Sequence, residues 1–187
     1  MKKTLIVVAL VVAVFLGYAV FQKTKNIAQS TEVISDKTEW KTHVHSAGDY
    51  SFKYPGNWFV LDDPRSNYVD IANYDVNLYS NNPHAINDKL FRIEIFTATN
   101  PKNLNLDDWL REYKEKTEFK PFIKSSEEIS VDGFRAIRER FTVNNLPSQE
   151  VYIQANGGTY FLGPNPSTEE FQKFFDEFLG RIKFINK

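Results

Sequence analysis

The stretch GDYSFKYPGNW, residues 48–58, decides the fold prediction. Its first three aromatic residues alternate with polar ones, which is the period-two pattern of a strand with one buried face. Pro55 ends the hydrogen-bonded ladder, and Gly56-Asn57 turns the chain into a second extended run. The stretch therefore predicts a strand, a turn and a strand, with Trp58 in the core beside the turn.

Three further segments carry strand patterns. In LFRIEIFT, residues 90–97, apolar and charged side chains alternate, which predicts a half-buried strand. Asp132-Gly133 and Asn156-Gly157 each separate two extended runs, as in a hairpin with a two-residue turn. The sequence thus predicts hairpins around both dipeptides, the first with a second strand that runs to Val143. The polar region 62–83 receives no assignment beyond a turn at its start.

Two segments have helical periodicity. The first has apolar residues at i, i+3, i+4 and i+7, namely Leu106, Trp109, Leu110 and Tyr113, and Asn105 precedes it as the N-cap. The second follows a capping box at residues 167–170 and carries an apolar stripe of four Phe, Leu179 and Ile182, with Gly180 at its end. A short strand over 181–185 closes the chain. These elements predict an α+β fold, with a central antiparallel sheet flanked by helices.

Length and composition limit the function classes. The chain of 187 residues, 42% hydrophobic and 15% aromatic, is long enough for one sizeable aromatic-rich core. Its formal net charge of −1 lacks the basic excess that phosphate binding uses, so nucleic acid is not expected as a partner. The absence of cysteine excludes disulfides, thiolate metal ligands, a cysteine nucleophile and a lipidated cysteine.

The amino terminus predicts location. Residues 4–22 contain no charge and suffice for a transmembrane helix, so residues 1–22 are interpreted as a signal anchor in the lipid bilayer. Lys2 and Lys3 favour a cytoplasmic amino terminus, which places the rest outside the cytoplasmic membrane as a single-pass protein. The alternative is a secreted chain, cleaved near Ala19. Residues 23–45 are interpreted as an extracytoplasmic linker, in which Trp40 and Val44 are candidates for an initial strand, and residues 46–187 as the folded domain.

The order of these motifs resembles the PsbP-like family, in its bacterial, uncharacterised branch. The resemblance covers about residues 46–187, from GDYSFKYPGNW through the helix LDDWLREY and the hairpin VYIQANGGTYFL to the terminal helix FQKFFDEFLGRIKFI. It implies a central antiparallel sheet flanked by helices and no general catalytic motif. A photosynthetic role is not implied, because the anchor and linker differ from a soluble lumenal photosystem subunit.

Few residues suggest chemistry. His43 and His45 form the single His-x-His pair and are weak metal candidates, because two imidazoles need further ligands to complete a zinc or copper shell. No nucleophile elbow, Walker A loop or G-x-G-x-x-G motif is present, and adjacent acid pairs point in different directions along a strand or helix. We therefore predict no catalytic residue, metal or cofactor.

A polar surface is the remaining candidate site. Arg92, Glu94, Arg138 and Arg140 lie on predicted strands and are expected to share the open face of the sheet. Such arginines are suited to an anionic envelope polymer or a partner protein, although opposite charges on neighbouring strands also simply stabilise a sheet.

The leading functional hypothesis is a membrane-anchored, extracytoplasmic, noncatalytic interaction or ligand-binding domain. It combines the anchor with a folded domain that lacks a recognisable catalytic set, so an enzyme is the less favoured interpretation. Two alternatives stay open: a cell-envelope hydrolase whose site the sequence does not expose, and a metal-dependent assembly factor.

Overall fold

The structure is a computed structural model that describes residues 39–76, 90–117, 122–143, 146–165 and 168–185. The predicted anchor and the first part of the predicted linker lie outside these ranges. Within them, no helix is long and apolar enough to cross a bilayer. The described residues belong to one compact unit, 36–187.

Ten strands and two helices form two antiparallel sheets. The strands are β1 Trp40–Val44, β2 Tyr50–Pro55, β3 Phe59–Asp62, β4 Tyr68–Ala72, β5 Arg92–Ala98, β6 Phe122–Val131, β7 Phe134–Val143, β8 Leu146–Ala155, β9 Gly158–Asn165 and β10 Ile182–Phe184. The helices are α1 Leu106–Lys116 and α2 Glu169–Leu179. One sheet has the strand order β1-β2-β10, and the other has the order β3-β4-β5-β9-β8-β7-β6.

The α+β class, both predicted hairpins and a central antiparallel sheet flanked by helices are confirmed, and the structure adds a second sheet of three strands. Strands β2 and β3 do not pair across Gly56-Asn57: β2 lies between β1 and β10, whereas β3 pairs with β4. The physical reason is that both edges of β2 are already occupied, so the chain after Pro55 passes to the second sheet. Strand β4, in the region that the sequence left unassigned, is buried on both faces and lacks a clean alternation.

The folded domain begins earlier than residue 46. Strand β1 pairs with β2 from Trp40 opposite Pro55 to Val44 opposite Ser51. The Gly56 amide also donates to the Glu39 carbonyl over 2.8 Å. The predicted linker, residues 23–45, therefore includes the first strand, because its backbone groups complete one edge of β2.

Both helices form where their periodicity predicts them. The Asn105 side chain accepts a hydrogen bond from the Asp108 amide, which confirms this N-cap. For α2 the N-cap is Thr168, whose hydroxyl accepts from the Phe171 amide, so the predicted capping box is one residue out of register. Gly180 is the C-cap and has right-handed φ, so it ends the helix without adopting the left-handed conformation.

Local turn chemistry sets the register of the two hairpins. Asp132 and Gly133 have φ of 50° and 83°, and Asn156 and Gly157 have φ of 49° and 80°. Two consecutive positive φ values define the type I′ turn, whose twist matches that of the flanking strands. Val131 therefore lies opposite Phe134, and Ala155 lies opposite Gly158.

The two faces of the seven-stranded sheet are covered by different elements. On one face, here called the α1 face, α1 packs its buried residues Leu106, Trp109 and Leu110 against Ile137 and Tyr152. On the other, here called the α2 face, lie α2 and the three-stranded sheet. Their aromatic core includes Tyr50, Phe52, Trp58, Phe91, Phe171, Phe174, Phe175 and Phe178. Trp58 is 7% exposed, which confirms its predicted place in the core.

The Tyr50 hydroxyl lacks a hydrogen bond within the described part of this core. Tyr50 is 1% exposed, and its hydroxyl has no partner among the described residues. The cavity that Tyr50 lines together with Ile95, Leu162 and Ile182 leaves no room for a water molecule. The hydroxyl therefore bears a desolvation cost that nothing offsets.

Replacing Tyr50 with Phe is expected to raise the free energy of unfolding by about 1 kcal/mol, because the unpaired hydroxyl is removed. Tyr160→Phe is the matched control. The Tyr160 hydroxyl donates to Asp49 Oδ2 over 2.9 Å, and its loss should lower the free energy of unfolding by about 1–2 kcal/mol. Urea unfolding of both variants measures the difference, and equal destabilisation of the two would contradict an unpaired Tyr50.

Candidate functional site

The four residues predicted to share one open face lie on opposite faces of the seven-stranded sheet. Side chains that lie opposite one another on neighbouring strands share a face of the sheet. Arg138 is in such register with Val151, Leu162 and Ile95. Glu94, next to Ile95 on β5, lies opposite Gly163 on β9. Because side chains alternate along a strand, Arg92 and Glu94 lie on the α1 face, whereas Arg138 and Arg140 lie on the α2 face. The prediction of a shared surface is therefore wrong.

Each of the three arginines faces carboxylates of the chain itself. Arg92 lies 2.8 Å from Glu94 and 3.7 Å from Asp70. Arg138 lies 2.7 Å from Asp176 of α2, and Arg140 lies 2.7 Å from Glu127 of β6. Apart from the pair of Arg92 with Glu94, which lies within β5, these ion pairs connect neighbouring elements, which is the structural role that cross-strand charges commonly have.

The α1 face carries a row of four carboxylates that runs across the strands, here called the carboxylate row. Its members are Asp70 on β4, Glu94 on β5, Glu150 on β8 and Glu139 on β7. Asp70 lies directly opposite Glu94, and Glu150 lies directly opposite Glu139. With adjacent strands about 4.8 Å apart, the four steps from β4 to β7 make the row about 19 Å long.

A glycine interrupts the row at its centre. Gly163 on β9 lies opposite Glu94, and the register of β8 with β9 places it beside Glu150. A Cβ atom at Gly163 would lie 3.6 Å from Glu150 Cγ. The glycine therefore leaves a gap between two glutamates whose Cα atoms are about 9.6 Å apart, two strand spacings.

Three members of the row have partners within hydrogen-bond distance. Lys114, in the last turn of α1, donates a hydrogen bond to Glu139, and the Tyr152 hydroxyl donates one to Glu150. Arg92 pairs with Glu94. Glu139 is 4% exposed, so Lys114 provides a counter-charge for a carboxylate that is almost fully buried.

Asp70 is the least satisfied member. The residue is 4% exposed, and its Oδ1 accepts no hydrogen bond from any described residue. The nearest cationic atom is Arg92 Nη1 at 3.7 Å, beyond hydrogen-bond distance. Oδ1 therefore points toward β5 and lacks a donor.

Burial changes the protonation of two carboxyls in the row. It raises the pKa of Asp70 above the ordinary value of 3.8, an effect that Arg92 opposes and Glu94 reinforces. It also raises the pKa of Glu150 above 4.5, against the hydrogen bond from Tyr152, and the negative charge of Glu139 adds to the rise. Both shifts reflect negative charge held in a poorly solvated place beside other carboxylates.

A row of aromatic side chains lies next to the carboxylate row, one step along the strands. Tyr68, Phe96, Phe161 and Tyr152 lie opposite one another in turn on β4, β5, β9 and β8. Tyr113 of α1 packs against Phe161, with ring centroids 6.0 Å apart. At the other end Tyr68 is 46% exposed, so α1 covers only part of this aromatic row.

The predicted metal candidates lie within the folded domain and contact carboxylates. His43 Nε2 donates to Asp62 Oδ2 over 2.8 Å, and His45 Nδ1 donates to Asp49 Oδ1 over 2.5 Å. The Ser46 amide and hydroxyl also donate to Asp62. Across the described ranges, no group of three or more His, Cys, Asp or Glu side chains is arranged to hold a metal ion.

Comparison with known families identifies the domain. The profile of the family described as PsbP-like protein matches residues 3–183. The chain belongs to this family. The match starts at residue 3, whereas the sequence motifs that suggested the resemblance start at about residue 46. A comparison with curated protein sequences found no significant match.

Three solved structures are similar to the chain at low sequence identity. The solution structure of cyanobacterial PsbP (CyanoP) from Synechocystis sp. PCC 6803 has a TM-score of 0.54 and 10% identity, over 81% of this chain and 95% of that one. PA94 from Pseudomonas aeruginosa, described as a protein of unknown function and putative regulator, has a TM-score of 0.46 and 9% identity, over 80% of this chain and 98% of that one. A Bacteroides thetaiotaomicron protein has a TM-score of 0.45 and 13% identity, over 79% and 49%. At such identity the CyanoP likeness shows the fold alone.

Sequence reasoning missed three of the four carboxylates in this PsbP-like domain. The Asn156-Gly157 turn sets the register of β8 with β9, which is sufficient to place Glu150 beside Gly163. No local signal places Asp70 opposite Glu94, or Glu139 opposite Glu150. Those pairings depend on which strands become neighbours in the sheet.

The PsbP-like domain contains two carboxyls whose pKa values are shifted in opposite directions. Their contributions to the stability of the fold should therefore change with pH in opposite directions. Burial by itself raises the pKa of Asp62, but hydrogen bonds from His43 and Ser46 outweigh burial and leave the pKa below 3.8. Asp62 therefore stabilises the fold above its unfolded-state pKa, and this contribution is lost as the pH falls through the folded-state pKa. Asp70, whose pKa is raised, favours folding below its unfolded-state pKa, and this contribution is lost as the pH rises through the folded-state pKa.

We therefore expect Asp62→Asn to lose stability relative to the wild type as the pH rises from about 2 to 6, and Asp70→Asn to gain it. The measurement is the free energy of unfolding in urea at a series of pH values, with each variant subtracted from the wild type. The sign of each slope is the readout, because a constant offset from a lost contact does not change it. Slopes of the same sign would contradict these environments.

Proposed function

We propose that the chain is a membrane-anchored, noncatalytic binding domain on the outer side of a cytoplasmic membrane. Its binding surface is the carboxylate row together with the adjacent aromatic row. One observation carries this assignment: four carboxylates occupy one row of a sheet face, and two of them, Asp70 and Glu139, are each 4% exposed. Burial of a carboxylate carries a desolvation cost that a counter-ion such as Lys114 at Glu139 does not always offset, so the concentration of buried carboxylates favours a functional origin.

The partial cover of the α1 face supports the same proposal. Helix α1 packs over Ile137, Tyr152 and Phe161, at the β7, β8 and β9 side of the sheet. Toward β4 and β5, Tyr68 is 46% exposed and the Glu94 side chain is 43% exposed. Acidic and aromatic groups are therefore accessible together at that side, and aromatic residues are enriched in surfaces that bind partners.

The membrane part of the proposal rests on the amino-terminal sequence. Residues 4–22 carry no charge, and Lys2 and Lys3 precede them. This pattern favours a single-pass anchor with the binding domain outside, where an envelope protein is the partner class within reach. An anionic envelope ligand is not carried forward, because the three arginines that suggested it face carboxylates of the chain.

Photocrosslinking in membranes tests the proposal. The full-length chain carries a photoreactive residue at position 68, on the exposed aromatic side, or at position 173 as the control. Lys173 is 79% exposed on α2 and lies away from the α1 face. We expect position 68 to yield one crosslinked product of defined mass in intact spheroplasts, and position 173 to yield none.

Protease added to the same spheroplasts tests the location. Cleavage of the folded domain, with a cytosolic marker intact, is the expected result. Equal crosslinking from both positions would overturn the binding surface, and protection of the domain from protease would overturn its location.

One observation favours an envelope hydrolase as a second candidate. Glu139 and Glu150 are directly opposed carboxylates, and the pKa of Glu150 is raised by burial, which is a known arrangement for a general acid. If this candidate is correct, Glu150→Gln should abolish any turnover of envelope polymers by the full-length protein, whereas Glu169→Gln should not affect it. Turnover that persists in Glu150→Gln would exclude these carboxylates as its source.

A further inference from the structure

We propose that the carboxylate row binds an extended segment of a partner protein that presents lysine or arginine side chains at alternate positions. This inference rests on the proposed function, because it names the ligand of the same surface. Three features of the row carry it: its charge, its length and an unsatisfied acceptor at one end.

The charge of the row favours a cation. Four carboxylates share two cationic neighbours: Arg92 lies between Asp70 and Glu94, and Lys114 lies at Glu139. Lys114 belongs to the last turn of α1, so the carbonyl end of the helix also lies at this side of the row. Helix carboxyl ends carry partial negative charge, which adds to the potential that attracts ammonium and guanidinium groups.

The length of the row fits an extended chain. A row of about 19 Å matches a segment of roughly six extended residues, at about 3.3 Å per residue. The gap at Gly163 lies between Glu94 and Glu150, where an ammonium or guanidinium group has a carboxylate on each side. Phe96 and Phe161 lie beside this gap, with ring centroids 4.8 Å apart, and aromatic faces attract cations.

The missing hydrogen-bond donor at Asp70 is evidence independent of the charge of the row. Its side chain is 6% exposed, and Oδ1 accepts no hydrogen bond among the described residues. A donor is therefore missing at the β4 end of the row, next to Glu94. A ligand N–H group bound at Glu94 would approach this end and supply positive charge to both carboxylates.

Peptide binding to the full-length protein in zwitterionic nanodiscs tests the inference. The probe is a fluorescein-labelled peptide of alternating Lys and Thr, seven residues long, and the matched control peptide has Glu in place of Lys. We expect the Lys peptide to bind, the Glu peptide not to bind, and added salt to weaken the binding. Glu94→Gln and Glu150→Gln should each weaken binding about tenfold or more, because each removes a charged acceptor.

Glu169→Gln is the matched control variant, because it removes one negative charge from α2, where the Glu169 side chain is 88% exposed. It should change the affinity less than about twofold, the range of exposed and screened charges. Thermal unfolding of each variant confirms its fold. If Glu150→Gln does not fold, Glu94→Gln decides, since the Glu94 side chain is 43% exposed.

Three results would overturn the inference. They are unchanged binding in Glu94→Gln, equal binding of the Glu peptide, and complete competition by spermidine or calcium at the peptide concentration, since a small cation would then be the ligand. The crosslink from position 68 separates the two proposals. A crosslink without peptide binding leaves the binding surface in place and refutes its cationic ligand, whereas loss of the crosslink refutes the surface itself.

Discussion

Phe174→Ala is expected to lower the free energy of unfolding by about 3–5 kcal/mol, the range measured when a buried Phe is truncated. Phe174 is 4% exposed, and its ring lies 4.6 Å from that of Trp58 and 5.6 Å from that of Phe91. It also stacks on Trp40, with centroids 5.9 Å apart. Trp40 lies in β1, Trp58 lies in the turn between β2 and β3, and Phe91 lies directly before β5. The ring of Phe174 therefore connects both sheets to α2.

Urea unfolding of the full-length protein in detergent measures this loss, and Phe59→Ala is the control. Phe59 has the same side chain but is 46% exposed, so its truncation should cost less than about 1 kcal/mol. Similar losses in the two variants would contradict the placement of Phe174 at the junction of the two sheets. Since truncation leaves a cavity, the loss should be largest if the surrounding rings cannot move together.

Lys114→Met is expected to lower the free energy of unfolding by about 2–3 kcal/mol, because it leaves the Glu139 carboxylate buried without its cation. The Lys114 side chain is 36% exposed, whereas that of Glu139 is 5% exposed, so the cost comes from the glutamate. Methionine keeps the apolar stem that packs along the sheet. The neighbouring Glu150, directly opposite on β8, increases the cost, since two carboxylates then face each other without Lys114.

A double-mutant cycle with Glu139→Gln isolates this effect. In the Glu139→Gln background no buried charge remains to be compensated, so Lys114→Met should cost much less than it does in the wild type. The difference between the two costs is the coupling of the pair. Additive losses would show that Lys114 contributes through its stem alone, and would contradict a buried charge at Glu139.

The local elements were predictable because each depends on nearby residues. The periodicity from Leu106 to Tyr113 specifies one face of a helix, and Asp132-Gly133 specifies a type I′ turn. The sequence could not show that β2 and β3 enter different sheets, because both have the same alternating pattern. Which strand edges are occupied depends on β1 and β10, one of which lies more than a hundred residues away.

The candidate site was far less predictable. Arg92 and Glu94 are two residues apart on one strand, and Arg138 and Arg140 are two residues apart on another, yet this spacing identifies a face of each strand separately. Whether two strands turn the same face to one side depends on their register through every strand between them. Here Arg138 lies in cross-strand register with Val151 and Leu162, and therefore with Ile95. Glu94, the next residue on β5, faces the opposite side of the sheet. The shared surface therefore consists of other residues.

By itself, the sequence determined the aromatic core, the two helices and the hairpin turns, because these follow from periodicity and from backbone preferences that act within a few residues. The tertiary structure alone decided the two-sheet architecture, the place of His43 and His45 beside Asp62 and Asp49, and the assembly of the carboxylate row. Strand order and register bring side chains from four strands onto one line. These are properties of the whole sheet, and no single strand encodes them.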